Sequence, residues 1–196
     1  MVTEVDFVTF IIPSIGRSSL KRAVESVINQ GDWNWKIIIV FDGIEPNIDF
    51  NNDHIKYITA PKTNSAGLTR NIAIPLVDTG WTAFLDDDDY IADTYIQKLK
   101  YYINEDSERD IIIFTYRDIT NGNTRPPLGF KDIVSCEVGI SFACKTDFIH
   151  HNDIKFQWGA IEDFAFLNDC RNAGAKYYLT NDVQYYVGGI GGNQSR

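Results

Sequence analysis

The sequence has few of the features that mark secreted, membrane-spanning or nucleic-acid-binding proteins. It contains only three cysteines, and no two of them form a Cys-x-x-Cys pair. We therefore expect buried, reduced thiols in a cytoplasmic protein rather than a disulfide scaffold. No apolar run approaches the roughly 18 residues of a membrane span. The first residues are acidic where a secretory signal would be basic, so we expect no such signal.

Basic residues are scarce relative to acidic ones. The chain has 18 Lys and Arg against 27 Asp and Glu, which gives a formal net charge of −9. A chain this acidic does not follow a phosphate backbone by charge alone, so we expect no nucleic-acid partner. An anionic ligand would need local basic groups, helix N-termini or a metal ion. At 196 residues and 44% hydrophobic residues, the chain can form one globular domain with a full core.

Apolar, β-rich runs alternate with amphipathic segments along the first half. We predict strands at 7–12, 36–41, 55–59, 82–85 and 111–116, and helices at 18–30, 65–74 and 93–104. This alternation indicates right-handed βαβ units and a mostly parallel central sheet flanked by helices. For the second half we predict a loop at 120–130, a helix at 162–173 and short strands at 177–179 and 183–187.

We expect a single α/β domain over residues 1–196. Residues 1–116 would form a ligand-binding half, and residues 117–196 would complete the domain. We see no linker or internal repeat that would divide the chain further.

Four consecutive carboxylates, Asp86–Asp89, directly follow the apolar run Ala83-Phe84-Leu85. Like charges about 4 Å apart repel by on the order of 1 kcal/mol in water, and by several times that near a protein surface. A divalent cation offsets this repulsion, and hard oxygen ligands favour Mg²⁺ or Mn²⁺. A solvated acidic turn is the alternative. The position beyond a buried strand favours the metal site, because open α/β sheets bind ligands at the carboxyl ends of their strands.

Other polar side chains follow the first two predicted strands. Ser14 and Arg17 come after the first strand, and Asp42 comes after the second. Arg70 lies in the first turns of a predicted helix near the same rim, where a guanidinium could serve a diphosphate or a base carbonyl. A plain turn at Asp42 and a surface arginine at Arg70 are the alternatives when each is taken alone.

A later segment, Trp158–Asp163, places two acids in the first turn of a predicted helix beside an aromatic residue. Glu162 and Asp163 could act as a catalytic base and its neighbour. Acids in a first helical turn can also serve only to complement the helix dipole.

Together these segments resemble the inverting, family 2 type of nucleotide-sugar-dependent glycosyltransferases, which have the GT-A fold. The resemblance rests on five ordered motifs, and the small size is similar to that of compact virus-encoded members. The matching segments are the opening strand and proline turn at 8–17, the strand and Asp-Gly turn at 36–43, the Gly-Leu and Arg-Asn segment at 64–71, the Phe-Leu-Asp-x-Asp-Asp (DXD) motif at 84–89, and the Glu-Asp pair at 162–163.

The resemblance implies a role for each matched residue. Asp42 would accept a hydrogen bond from the base, and Asp86 would contact the ribose. Asp88 would ligate the Mn²⁺ or Mg²⁺ that bridges the diphosphate. Asp163 would be the catalytic base with Glu162 beside it, although adjacent acids leave open which of them faces the cleft. The donor-binding candidates as a set are Pro13, Ser14, Ile15, Arg17, Asp42, Arg70, Asp86 and Asp87.

Two positions depart from the family pattern. Ile15 stands where many relatives have a tyrosine, so the base would meet an aliphatic surface. Residues 185–196 contain no histidine, whereas many relatives have one that completes the metal site. We therefore expect water and diphosphate oxygens to complete the coordination of the metal.

The resemblance implies transfer of a hexose or deoxyhexose from a nucleoside diphosphate sugar, specifically a UDP-sugar, with inversion. The acceptor would be a hydroxyl of a glycan or glycoprotein, and the short acceptor-side elements fit one module of a longer polypeptide. A nucleotidyltransferase and a non-catalytic module that binds sugar nucleotides or glycans are the alternatives. Release of nucleoside diphosphate, of pyrophosphate or of neither distinguishes the three.

Overall fold

The structure of the protein is a computed structural model that describes residues 7–31 and 34–188. The strands are β1 (Val8–Ser14), β2 (Trp35–Asp42), β3 (Ile55–Ala60), β4 (Trp81–Phe84), β5 (Tyr90–Ile91), β6 (Ile111–Asp118), β7 (Thr124–Arg125), β8 (Phe142–Lys145) and β9 (Tyr177–Val187). The helices are α1 (Leu20–Ile28), α2 (Ala66–Ala73), α3 (Tyr95–Glu105), α4 (Thr146–His151) and α5 (Glu162–Asn172), and a 3₁₀ turn at Ile74–Leu76 follows α2.

The described strands form one sheet in the order β3-β2-β1-β4-β8-β6-β9-β5, and β7 pairs with β6. Strands β3, β2, β1 and β4 are parallel, as predicted. Strand β8 runs antiparallel to both of its neighbours, β4 and β6, and β5 runs antiparallel to β9. Strand β6 pairs in parallel with β9, and this is the longest pairing in the second half of the domain. The α/β fold is therefore confirmed, with short antiparallel pairs added to the parallel ones.

The predicted elements of the first half are all present, with ends shifted by a few residues. Helices α1 and α3 begin at Leu20 and Tyr95, shortly after the predicted starts at 18 and 93. The two short strands predicted near the end form one strand, β9, whose pairing with β6 is irregular around Thr115. Elements β5, β7, β8 and α4 were not predicted, and β7 lies within the loop predicted at 120–130, where it pairs with β6.

The structure bears on the predictions about the thiols and about membrane spans. Cys144 and Cys170 are buried free thiols, as expected, whereas Cys136 is exposed, because it lies in an irregular loop. Among the described residues, no helix has the length and apolar character needed to cross a membrane. The acidic start of the chain, the glycine-rich end and residues 189–196 of the histidine-free segment lie outside the described residues.

An aromatic cluster joins the two halves of the domain. The ring of Phe84, at the end of β4, lies 5.4 Å from that of Phe142 and 5.0 Å from that of Phe156. Phe156 in turn stacks on Phe166 of α5, with 4.3 Å between ring centroids. This packing fixes the start of α5 close to the carboxyl end of β4.

Candidate active site

Strands β1, β2 and β4 are parallel neighbours, so the segments that follow them meet at one rim of the sheet. The loop at 15–17 follows β1, Asp42 ends β2, and the run Asp86–Asp89 follows β4. The structure thus brings together the three strand ends that the sequence analysis selected.

Asp87 holds the loop after β1 in place. Its carboxylate accepts hydrogen bonds from Ser14 Oγ at 2.7 Å, from the Ile15 N–H at 3.3 Å and from Arg17 Nη1 at 2.6 Å. Burial raises the pKa of Asp87, while the bonds from Ser14 and Arg17 act in the opposite direction. Pro13 is buried at the end of β1, whereas the Ile15 side chain is 57% exposed at the rim. Ile15 therefore offers the aliphatic surface that the sequence predicts.

The other three carboxylates of the run converge. A turn closed by a 3.2 Å hydrogen bond from the Asp89 N–H to the Asp86 carbonyl brings these two residues together. Oxygen atoms of Asp86, Asp88 and Asp89 all lie within 4.8 Å of one another. Burial raises the pKa of Asp89 well above its usual range, and the charges of Asp86 and Asp88 add to this effect. Crowded oxygen ligands of this kind suit Mg²⁺ or Mn²⁺.

The structure groups Asp86 and Asp89 with Asp88, the one residue for which a metal-ligand role was expected; Asp86 was expected to contact the ribose. The sequence signal for Asp89 was its place in the run, but all four aspartates carried that signal equally. No histidine joins this group within the described residues. The ring nitrogens of His54 and His150 instead lie 3.1 Å and 2.9 Å from the backbone carbonyls of Trp35 and Ile74.

Tyr185 of β9 lies beside the group formed by Asp86, Asp88 and Asp89, and no sequence pattern indicated it. Its side chain is completely buried, and its hydroxyl accepts a 3.0 Å hydrogen bond from the Asp86 N–H. The Gly188 N–H donates to Asp89 Oδ1 at 3.1 Å. These contacts join residues 99 positions apart, so no local pattern could have indicated them.

Asp42 connects β2 to the segment that leads into α2. Its carboxylate is almost completely buried and accepts hydrogen bonds from the N–H groups of Thr63 and Asn64, the second at 3.0 Å. Each carboxylate oxygen has a second lone pair, so these bonds do not exhaust the accepting capacity of Asp42. Asp42 can therefore shape this loop and still accept a hydrogen bond from a ligand.

Arg70 lies inside the rim rather than on its surface. It belongs to α2, which Ser65 caps by accepting a 3.3 Å hydrogen bond from the Leu68 N–H. The Arg70 side chain is 1% exposed and pairs with Asp86 and with Glu162, the latter at 2.8 Å. Burial alone would lower the pKa of Arg70, but the surrounding carboxylates raise it, so the guanidinium stays charged.

Glu162 and Asp163 occupy the first turn of α5, as predicted. The Glu162 side chain is 17% exposed, and that of Asp163 is 30% exposed. Asp163 Oδ1 lies 4.0 Å from Arg70 Nη1, compared with 2.8 Å for Glu162 Oε1. Asp163 is thus the more accessible of the two acids.

The fold and this acidic rim define a GT-A glycosyltransferase domain. The chain belongs to glycosyl transferase family 2, whose model matches residues 9–148. The match includes the rim residues from Pro13 to Asp89 and ends before the acid pair. No curated protein sequence matches the chain.

Solved structures of TarS from S. aureus have the same fold. TarS 1-349 matches with a TM-score of 0.77 at 18% identity, over 92% of this chain and 60% of that one. TarS 1-349 in complex with UDP-GlcNAc matches with a TM-score of 0.78 at 18% identity, over 95% and 60%. The complex with UDP gives 0.77 at 19% identity, over 92% and 60%. The chain therefore spans about 60% of the length of these TarS structures.

Proposed function

We propose that this domain transfers a sugar from a UDP-sugar to a hydroxyl group of a glycan or glycoprotein acceptor, with inversion at the anomeric carbon. The observation that carries the proposal is the acidic rim itself. Three converging carboxylates lie at the end of β4, an acid pair lies at the start of α5, and one buried guanidinium contacts both groups. Family membership and the UDP and UDP-GlcNAc complexes of TarS support the choice of donor.

The donor would lie along the ends of β1, β2 and β4. Ile15 would contact the base, and Asp42 would accept a hydrogen bond from a uracil N–H. Asp86, Asp88 and Asp89 would hold Mn²⁺ or Mg²⁺, and the bound cation would neutralise charge on the departing diphosphate. Asp87 and Arg17 would act indirectly, because their mutual ion pair fixes the loop that carries Ile15.

The reaction then needs one base. Asp163 would remove the proton of the acceptor hydroxyl while the acceptor oxygen attacks the anomeric carbon in line with the leaving group. The bond from that carbon to the diphosphate oxygen breaks, and UDP leaves with the electron pair. Glu162 is the weaker candidate for the base, because its carboxylate is engaged by Arg70 at 2.8 Å.

A donor panel tests this proposal. Purified protein would be incubated with UDP-, GDP- and CMP-sugars, with Mn²⁺ or with EDTA, and release of nucleoside diphosphate or monophosphate would be measured. We expect UDP release that depends on Mn²⁺ and increases when a glycan acceptor is added. Pyrophosphate release from a nucleoside triphosphate and a sugar phosphate would instead identify a nucleotidyltransferase. Tight UDP-sugar binding with no turnover for any acceptor would identify a binding module.

A further inference from the structure

We propose that Arg70 is a positioning residue, which joins the donor-side carboxylates to the acid pair and does not itself contact the donor. This inference rests on the proposed function, and it changes the role that the family resemblance implies for Arg70. The Arg70 guanidinium is not accessible to a ligand. The Arg70 side chain is 1% exposed, so no diphosphate or base can reach it without displacing its neighbours.

The two terminal nitrogens of Arg70 bond two different carboxylates. Nη2 bonds Asp86 after β4, and Nη1 bonds Glu162 in α5 at 2.8 Å. A planar guanidinium can bridge two carboxylates in fixed directions, which the point charge of a lysine cannot do. Arg70 therefore sets the position of the acid pair relative to the carboxylate group at the end of β4.

The residues around Arg70 hold the bridge between Asp86 and Glu162 in place. The guanidinium lies over the ring of Phe156, 5.0 Å from its centroid. The side-chain amide of the neighbouring Asn71 donates to the Phe156 carbonyl and accepts from the Phe156 N–H, each at 2.8 Å. A Cβ at Gly67 would lie 3.2 Å from Glu162 Cδ, so the absence of a side chain there gives Glu162 the room to approach α2.

The bridge has a consequence for the two acids. It holds the Glu162 carboxylate against α2, with 17% of the side chain exposed, and leaves the adjacent Asp163 at 30%. Arg70 would thus act on the reaction through Glu162 and the first turn of α5, which carries the base. Displacing a reacting group by about 1 Å can cost on the order of 100-fold in rate.

The test compares Arg70→Lys with the matched control Arg109→Lys. Arg109 is another largely buried arginine: its side chain is 14% exposed, donates to the Tyr102 carbonyl at 2.6 Å and stacks on the Tyr178 ring. For each variant we would measure the UDP dissociation constant by calorimetry and the kcat of sugar transfer. We expect Arg70→Lys to lower kcat by about 10- to 100-fold with the UDP dissociation constant within about threefold of wild type, and Arg109→Lys to change neither.

A double-mutant cycle with Glu162→Gln tests whether Arg70 acts through Glu162. If Arg70 acts through Glu162, the double variant will be no slower than the slower single variant. A tenfold or greater weakening of UDP binding by Arg70→Lys, with kcat unchanged, would overturn the inference and indicate a direct donor contact. Fully additive effects on kcat would overturn it as well. If Arg70→Lys does not fold, Glu162→Gln alone decides: the bridge requires a lower kcat with unchanged UDP affinity, and wild-type kcat contradicts it.

Failure of the proposed function would look different. A wild-type protein that neither binds UDP nor releases it from any sugar nucleotide would contradict the function and, with it, this role of Arg70. A wild type that does release UDP, with Arg70→Lys equal to wild type in kcat and UDP affinity, would contradict the role of Arg70 alone.

Discussion

Neighbouring residues of one motif have different surroundings. In the run Asp86–Asp89, Asp87 accepts three hydrogen bonds from the loop after β1, and Asp88 Oδ2 lies 3.2 Å from Arg17 Nη1 of the same loop. The other three carboxylates converge on one point. The turn that closes at the Asp89 N–H explains this division, because it brings the fourth residue back beside the first. The sequence could predict a metal site here, but four identical side chains gave no means of telling ligands from support.

The acid pair allows a prediction about a single carboxylate, that of Asp163. Asp163→Asn removes the proposed base and keeps the size of the side chain. Donor binding needs no base, so we expect UDP affinity to stay near wild type while transfer falls by roughly 10²–10⁴-fold. Kinetics of transfer and calorimetry with UDP measure the two quantities. Wild-type transfer by Asp163→Asn, together with a collapse in Glu162→Gln, would exchange the two roles.

The cysteines give a prediction that does not depend on the function. Burial raises the pKa of the Cys144 thiol well above its ordinary value, so this group stays protonated and unreactive at neutral pH. Cys170 is also buried, whereas Cys136 is exposed. We expect an aromatic disulfide reagent to modify one thiol rapidly in the native protein and all three only after denaturation. Cys136→Ser should remove the rapid phase, and its persistence would contradict the exposed position.

At the scale of elements, the long periodic segments were predictable and the short ones were not. Strands β1 and β2 are long apolar runs, β3 alternates more weakly, the short β4 continues into the apolar Leu85, and α1 has a clear apolar face, so local pattern sufficed for them. Strand β8 has four residues and α4 has six, too few for a period to show. Tyr185 contacts Asp86, which lies 99 residues earlier in the sequence. This contact depends on the order of the strands in the sheet and not on local sequence.

The approach of α2 to α5 predicts an effect of one methyl group. In Gly67→Ala the new Cβ would lie 2.9 Å from Phe156 Cβ and 3.2 Å from Glu162 Cδ, so one element must shift. Alanine is intrinsically better than glycine in a helix by about 1 kcal/mol, but we expect overpacking to outweigh this and destabilise the fold by about 1–3 kcal/mol.

Gly31→Ala is the matched control, because no atom of the described residues lies within 4 Å of its added Cβ. Its stability should stay within about 0.5 kcal/mol of wild type. Urea unfolding compares the two variants, and transfer assays show whether the displaced Glu162 also slows the reaction. Gly67→Ala as stable and as active as Gly31→Ala would show that the contact between the two helices is looser than the distances imply.

At the scale of the whole molecule, a net charge of −9 sets the electrostatic problem of binding a nucleoside diphosphate. Arg17 and Arg70 do not remove it, because Arg17 pairs with Asp87 and Arg70 pairs with Asp86 and Glu162. Arg22 donates to the Asp88 carbonyl at 2.6 Å, so one further positive charge lies beside the acidic run. The diphosphate would therefore approach a rim where the charges of Arg17 and Arg70 are already matched. A divalent cation at Asp86, Asp88 and Asp89 is the component that would make this approach favourable.

The dependence on the cation can be measured without turnover. We expect Mn²⁺ with UDP to raise the thermal unfolding midpoint of the protein, because a ligand at about 100 times its Kd adds roughly 2.7 kcal/mol to stability. UDP with EDTA should give little or no increase. Asp88→Asn should lose the increase, since it removes a ligand charge from the cluster. Asp78→Asn, which alters an exposed carboxylate paired with Lys36, is the matched control and should keep it. If UDP stabilises the wild type equally with EDTA and with Mn²⁺, the carboxylates at the end of β4 do not hold a metal for the donor, and the diphosphate must find its positive charge elsewhere on the rim.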